Sequence, residues 1–243
     1  MQLPRDEVHC WYVDLDVPPE MEAGLYATLA GAERSRSARF RFDRDRRRFV
    51  VAHGVLRGLL ARYLGTHPSQ VHFVRNALGK PELGPGFGRR LKFNLSHSAD
   101  LAAIAVAHAD VGVDVESIRS QPELAEIARS HFSAAEVEQL NRLPSHLRAE
   151  AFFRCWTRKE AQVKARGEGL DALPLTTDPV RAPRDPHGAS ADIGPERRWS
   201  LHALQPAPGY VGALAIEGSG WRLTERDCPA GVPEWLGPRR FQW

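Results

Sequence analysis

The sequence predicts an α/β chain, α+β in the sense of mixed strands and helices, in two halves of similar size. Three observations carry this. Strand-like alternation and long helical periodicity occur in both halves; the tract SIRSQPE after Glu116 reads as a linker, beyond which the pattern begins again; and 243 residues suffice for one large domain or two small ones. The expected division is residues 1–116 and 117–243.

Val8 to Val17 alternates aromatic and aliphatic residues with polar ones, as a strand does, and Pro18-Pro19 ends it. Phe49, Ala52, Leu56, Leu59, Leu60 and Tyr63 recur at helical spacing, giving a helix from Asp43 to Leu64 that Gly65 closes. Val71 to Val74 is a further strand, and Gly79-Lys80-Pro81 is turn chemistry. Leu91 to Ser98 reads as a strand running into a polar corner. Leu101–Ala107 and Val111–Glu116 are expected to pair as a hairpin around His108-Ala109-Asp110. In the second half, Ser133 with Glu136 three residues on is a capping box. A helix follows from Leu147 to Ala165, residues 176–195 read as a surface loop, and Trp199–Leu204 with Tyr210–Ile216 form another hairpin.

Composition narrows the function classes. A hydrophobic content of 42% with 26% charge is ordinary for a soluble enzyme, and no apolar run reaches the roughly 18 residues of a membrane span. The first residues lack a basic segment followed by an apolar stretch, so a cytoplasmic protein is expected. Cys10, Cys155 and Cys228 are odd in number and far apart, and are expected as free thiols. Between Glu33 and Arg48 eight arginines face three acids, which leaves a solvated helix face and an anion-binding surface both open.

The chemistry concentrates on a strand and a helix. Val111, Val113 and Val115 share one face of their strand; Gly112, Asp114 and Glu116 share the other. Two carboxylates at i and i+2 lie about 7 Å apart, close enough to share one ion. Alone, such a pair is common on exposed strands. On the Leu147–Ala165 helix, however, Phe153, Trp156, Glu160, Val163 and Lys164 fall along one stripe, so a third acid sits among aromatic anchors. A surface ion pair between Glu160 and Lys164 is the plainer reading of the helix by itself. Taken together, Asp114, Glu116 and Glu160 point to a divalent-cation site, and all-oxygen ligation favours Mg²⁺ or Mn²⁺ over zinc. Mg²⁺ commonly borrows phosphate oxygens, and Asn94, Ser96, His97, Ser98, Lys80 and the arginine run supply groups that bind them.

These residues resemble one family, the 4′-phosphopantetheinyl transferases of the long, surfactin-synthetase-activating type. The likeness rests on Gly79-Lys80-Pro81, Phe93 to Ser98, Val111 to Glu116, Phe132-Ser133 with Glu136, and Phe153-Trp156-Thr157-Arg158-Lys159-Glu160-Ala161 with Lys164, Gly167 and Gly169-Leu170. It implies a pseudo-dimer of two similar α/β halves with coenzyme A in the cleft between them. It also implies transfer of the phosphopantetheine arm of coenzyme A to a serine of an acyl or peptidyl carrier protein, releasing adenosine 3′,5′-bisphosphate. Carried over by position, Asp114, Glu116 and Glu160 hold Mg²⁺. Arg48, Lys80, Pro81, Asn94, Ser96 and His97 bind the cofactor, with Arg36 as a further candidate; Lys164 lies by the pyrophosphate. Glu160, Lys164 and Asp114 are the expected catalytic groups. Arg119, Arg129 and Arg158 are candidates for docking an acidic carrier, and a monomer that binds neither nucleic acid nor membrane is expected. Two alternatives stand beside this reading: another Mg²⁺-dependent phosphoryl-transfer enzyme such as a nuclease, and a basic nucleic-acid-binding protein using the arginine run.

Overall fold

The computed structural model describes residues 1–167, 189–191 and 199–228, and every structural statement below refers to these. In chain order the elements are β1 (Glu7–Asp14), α1 (Pro19–Thr28), α2 (Gly31–Ser37), α3 (Asp43–Leu64), β2 (Phe73–Arg75), β3 (Pro81–Leu83), β4 (Lys92–Ser98), β5 (Leu101–Ala107), β6 (Val111–Ser117), α4 (Leu124–His131), α5 (Ala134–Arg142), α6 (Ser145–Arg166), β7 (Ala189–Ala191), β8 (Trp199–Leu204), β9 (Tyr210–Glu217) and β10 (Arg222–Asp227). The mixed α/β class is as the sequence predicts. Helix α3 has the expected bounds, closed by Gly65 at φ 69°, a left-handed conformation that glycine adopts without steric cost. The capping box also forms: the Ser133 N–H donates to Glu136 Oε2 at 2.7 Å, and the Glu136 N–H to Ser133 Oγ at 3.2 Å.

Two four-stranded sheets make the framework, in the orders β10-β1-β5-β4 and β6-β9-β8-β7. Helix α3 covers the outer face of the first, packing Val51, Val55 and Leu59 against Trp11, Ile104 and Val106. Helix α6 covers the outer face of the second, where Ala161 and Ala165 meet Ala213 and Ala215. The inner faces share a core of small residues, Ala103, Ala105 and Ala107 of β5 with Val111, Val113 and Val115 of β6. Alanine favours strands little, but its short side chain lets two sheets approach closely.

The expected β5–β6 hairpin does not form. Strand β5 has β1 on one side and β4 on the other, both antiparallel, so neither of its edges is free. The chain leaves the first sheet at Ala107 and enters the second at Val111, where β6 pairs with β9 along its length. Strand β6 therefore lies, all but Ser117, before the 116/117 division yet belongs to the second sheet by its ladder. Conversely, β10 returns from the far end of the chain to pair in parallel with β1.

Three helices escape the sequence pattern: α1, α2 within the arginine run, and α4. Helix α1 begins on Pro19, a residue suited to a first helical position. Within the expected 176–195 loop, residues 189–191 form β7 on the edge of β8; the rest lies outside the described residues, as do Gly169, Leu170, Trp235, Phe241 and Trp243. No described helix is long and apolar enough to cross a membrane. The three cysteines are free thiols.

Gly112 sets the distance between β6 and α6. A Cβ built there would lie 2.1 Å from the Ala161 carbonyl oxygen and 2.3 Å from the Ala165 nitrogen, both backbone atoms that cannot swing aside. Gly112→Ala is therefore expected to push α6 off the strand and to cost about 1–3 kcal/mol or more, read from the urea midpoint.

Candidate functional site

Alternation along β6 sends Asp114 and Glu116 to the face that α6 covers, opposite its three valines. The close contact of Gly112 with Ala161 and Ala165 brings alongside the turn of α6 that carries their neighbours Glu160 and Lys164. Asp114 and Glu160 are buried, at 3% and 8% exposure. From β4, Ser96 Oγ donates to Asp114 Oδ1 at 2.7 Å, and Ser98 Oγ donates to Glu116 Oε2 at 2.6 Å. Lys164 Nζ donates to Asp114 Oδ1 at 2.6 Å and to Ser96 Oγ at 3.1 Å. Three elements far apart in sequence thus meet on one carboxylate.

The electrostatics are those of acids in want of a cation. Burial pushes Glu160 up to about 7, with the like charges of Asp114 and Glu116 adding to the effect and Lys164 opposing it. Glu116 is raised as well, by burial first and by Asp114, against a hydrogen bond from Ser98. Asp114 Oδ2 and Glu160 Oε1 are buried and have no hydrogen-bond partner among the described residues. A buried carboxylate oxygen without a donor is costly, and a cation supplies what is missing. At Asp114 Oδ1 the Lys164 ammonium stands in for one. As placed, no three acidic, imidazole or thiolate groups among the described residues form a ready-made metal cage. The donors nevertheless suit a hard divalent ion, since all are oxygen and two are already desolvated.

Beside the carboxylates is a basic cluster. The His97 pKa is lowered, by desolvation and then by its neighbours His53, Lys164, Arg48 and Arg36. Arg48 is held by Asp100 Oδ1 at 2.5 Å, and the Arg36 guanidinium lies 5.1 Å from the Phe49 ring centroid. His53 is absent from the sequence reading, for its place on α3 beside Phe49 follows no motif. Ser98 is expected as one hydroxyl of the phosphate-binding corner, and its hold on Glu116 is the new part. Its signal was available, because Asn94, Ser96 and Ser98 recur at a period of two.

Other expected residues are placed differently. Lys80 Nζ donates to the carbonyls of Val111 at 3.1 Å and Ala165 at 3.0 Å, tying the start of β6 to the end of α6, and burial lowers its pKa to about 8. Asn94 Oδ1 accepts the Val113 N–H at 2.9 Å. Pro81 opens β3 and lines a hollow of ≈ 240 Å³ with Lys80, Lys92 and Asp110. Arg158 is buried and donates to the Arg154 carbonyl, so it does not present a docking charge at the surface as expected, whereas Arg119 and Arg129 are exposed.

Lys159, the neighbour of Glu160, turns away from the acids. It is wholly buried, paired with Glu136 at 3.0 Å and 5.5 Å from the Phe132 ring centroid, and it locks α6 to α5. Lys159→Met removes a buried counter-charge from Glu136 and is expected to cost about 3–5 kcal/mol, measured by chemical denaturation.

Comparisons with known proteins give the family. Residues 110–215 match the family model described as the 4′-phosphopantetheinyl transferase superfamily, and residues 19–109 match that for the N-terminal region of a 4′-phosphopantetheinyl transferase. The two matches meet at the step from β5 to β6. The chain is 40% identical over 224 residues to the 4′-phosphopantetheinyl transferase HetI of Nostoc sp., covering 91% of this chain and 92% of that protein. It is 35% identical over 140 residues to the transferase psf-1 of Bacillus pumilus, covering 57% and 58% of the two chains. To the transferase Sfp of Bacillus subtilis it is 27% identical over 174 residues, covering 72% and 75%. The nuclease and nucleic-acid-binding alternatives gain no support.

Proposed function

The chain belongs to the 4′-phosphopantetheinyl transferase superfamily, and from that premise we propose how its residues move the phosphopantetheine arm of coenzyme A onto a carrier-protein serine. One observation carries the assignment of the site: Asp114, Ser96 and Lys164, from β6, β4 and α6, converge within hydrogen-bonding distance beside the buried Glu160.

Asp114, Glu116 and Glu160 would hold Mg²⁺ or Mn²⁺, which when bound would neutralise charge on the pyrophosphate. Lys164 leaves Asp114 to meet the pyrophosphate, adding a second positive charge where negative charge develops. His97, Arg48 and Arg36, with the Ser96 hydroxyl, receive the phosphate on the adenosine side. The serine oxygen bonds to the β-phosphorus as the bridging P–O bond breaks, so adenosine 3′,5′-bisphosphate departs with that bond's electrons. Glu160 accepts the serine proton. The bound cation would lower this carboxylate's affinity for a proton, and burial beside two further acids offsets that loss.

An apolar hollow of ≈ 280 Å³ between α4, α5 and α6, with Arg129 and Arg148 in its lining, supports docking of an acidic carrier on this side of the second half. The enzyme is proposed to act as a cytoplasmic monomer with the cofactor between two similar halves, the division falling at the step from β5 to β6 rather than at 116/117 because β6 ladders with β9.

The test is direct. The protein is incubated with coenzyme A, Mg²⁺ and apo-carriers of fatty-acid, polyketide and nonribosomal-peptide type, and the carriers are weighed. One phosphopantetheine arm added to at least one carrier, and lost when Mg²⁺ is chelated, is the expected result. A diverse panel left unmodified overturns the reading.

A further inference from the structure

Strands β4 and β6 are edge strands of different sheets, each laddered on one side only, β4 to β5 and β6 to β9. Their free edges run side by side in the same direction, yet no backbone ladder joins them. Side chains of β4 span the gap instead. Asn94 Oδ1 accepts the Val113 N–H at 2.9 Å, Ser96 Oγ donates to Asp114 Oδ1 at 2.7 Å, and Ser98 Oγ accepts the Ser117 N–H at 3.2 Å while donating to Glu116 Oε2 at 2.6 Å. Lys80 closes the row on the Val111 carbonyl. The three β4 residues stand at i, i+2 and i+4 and are all buried, so water does not compete for these bonds.

We propose that Asn94 and Ser98 are positioning residues: this row of side chains sets the register between the two sheets and thereby aims the carboxylates of β6. The chemistry of a hydroxyl gives the reason. Ser98 has one proton to donate, and the incoming Ser117 N–H occupies a lone pair, which leaves the proton directed at Glu116. Glu116 is therefore oriented by the first half while its backbone belongs to the second sheet. Asn94 does for Val113, one residue before Asp114, what a ladder carbonyl does inside a sheet. The consequence for cation binding rests on the function proposed above; the consequence for the backbone does not.

The test separates the two. Amide exchange is followed by NMR in the full chain, and Mn²⁺ alone is titrated into the same samples. For Ser98→Ala, exchange at Ser117 is expected to quicken by about ten-fold or more, and the Mn²⁺ dissociation constant to rise about ten-fold, the usual size of a loss behind a metal ligand. The kcat for carrier modification falls while KM for coenzyme A stays within about three-fold. Ser98→Thr, which keeps the hydroxyl, restores both exchange protection and Mn²⁺ affinity. Asn94→Ala quickens exchange at Val113, and protection in β1 and β5 reports that each variant is folded. If Asn94→Ala loses that protection, Ser98→Ala and Ser98→Thr decide the matter. Unchanged exchange at Ser117 in Ser98→Ala overturns the proposal, as does Mn²⁺ affinity equal to that of the wild type. A wild type that binds no Mn²⁺ overturns the cation site instead, and the seam is then decided by exchange at Ser117 and Val113.

Discussion

Asp114→Asn is expected to slow carrier modification by on the order of 10³-fold, the range seen when a preorganised charge is removed from a transferring centre. Asparagine keeps the shape of the side chain and an oxygen that can accept from Ser96 Oγ and Lys164 Nζ, which now lie 2.7 and 2.6 Å from Asp114 Oδ1. The fold should survive. What disappears is the negative charge that holds a cation, and with it the buried oxygen that has no donor among the described residues. The measurement is the mass of an apo-carrier against time, with far-ultraviolet circular dichroism as the control for folding. Activity within three-fold of the wild type would show that Asp114 has no part in the chemistry.

The second large effect is in pH. With Glu160 pushed up to about 7, a proton competes with the cation for this carboxylate, so Mn²⁺ affinity is expected to fall steeply below pH 7 and to level off above it. Below that point the slope approaches a factor of ten per pH unit, one proton being released for each ion bound. Stability moves in the opposite sense. Between the ordinary carboxylate range and about pH 7 the folded chain holds a proton that the unfolded chain has lost. Metal-free protein therefore loses stability as pH rises through that window, by on the order of 3 kcal/mol in full. Glu160→Gln should flatten both profiles, because glutamine does not titrate. Calorimetric titration of Mn²⁺ and urea denaturation, each at pH 5.5, 6.5 and 7.5, read the two slopes. A wild-type affinity independent of pH across this range would remove Glu160 from the ligand set.

Much of the local structure was legible in the chain. Helix α3 was marked by its periodicity and by Gly65, and α5 by its capping box, because these signals lie within a few residues of one another. The strand β6 announced its two faces through strict alternation, and Glu160 declared itself as an acid on an apolar stripe. The misplaced features are those decided by contacts distant in sequence. The β5–β6 hairpin was expected from two strands and a short connection, but whether adjacent strands pair depends on which edges other strands have taken, and β1 and β4 had taken both. Lys80 looked like a phosphate ligand in a turn; the end of α6, far along the chain, offers its ammonium two carbonyls instead. Lys159 and Glu160 are neighbours of opposite fate, one locked on α5 and the other turned to the acids, since adjacent residues on a helix point about 100° apart.

By itself the sequence determined most of the strands and the long helices, and the chemical character of the candidate site: three carboxylates, a lysine, and polar groups suited to phosphate, each readable from spacing within one strand or helix. Only the tertiary structure decided how those groups meet. Gly112 admits α6 against β6, Lys164 rests on Asp114, and the side chains of β4 reach across to the backbone and acids of β6. The reason is physical: alternation and helical period fix which way a side chain faces on its own element, while the partner it faces is set by how closely two backbones can pack.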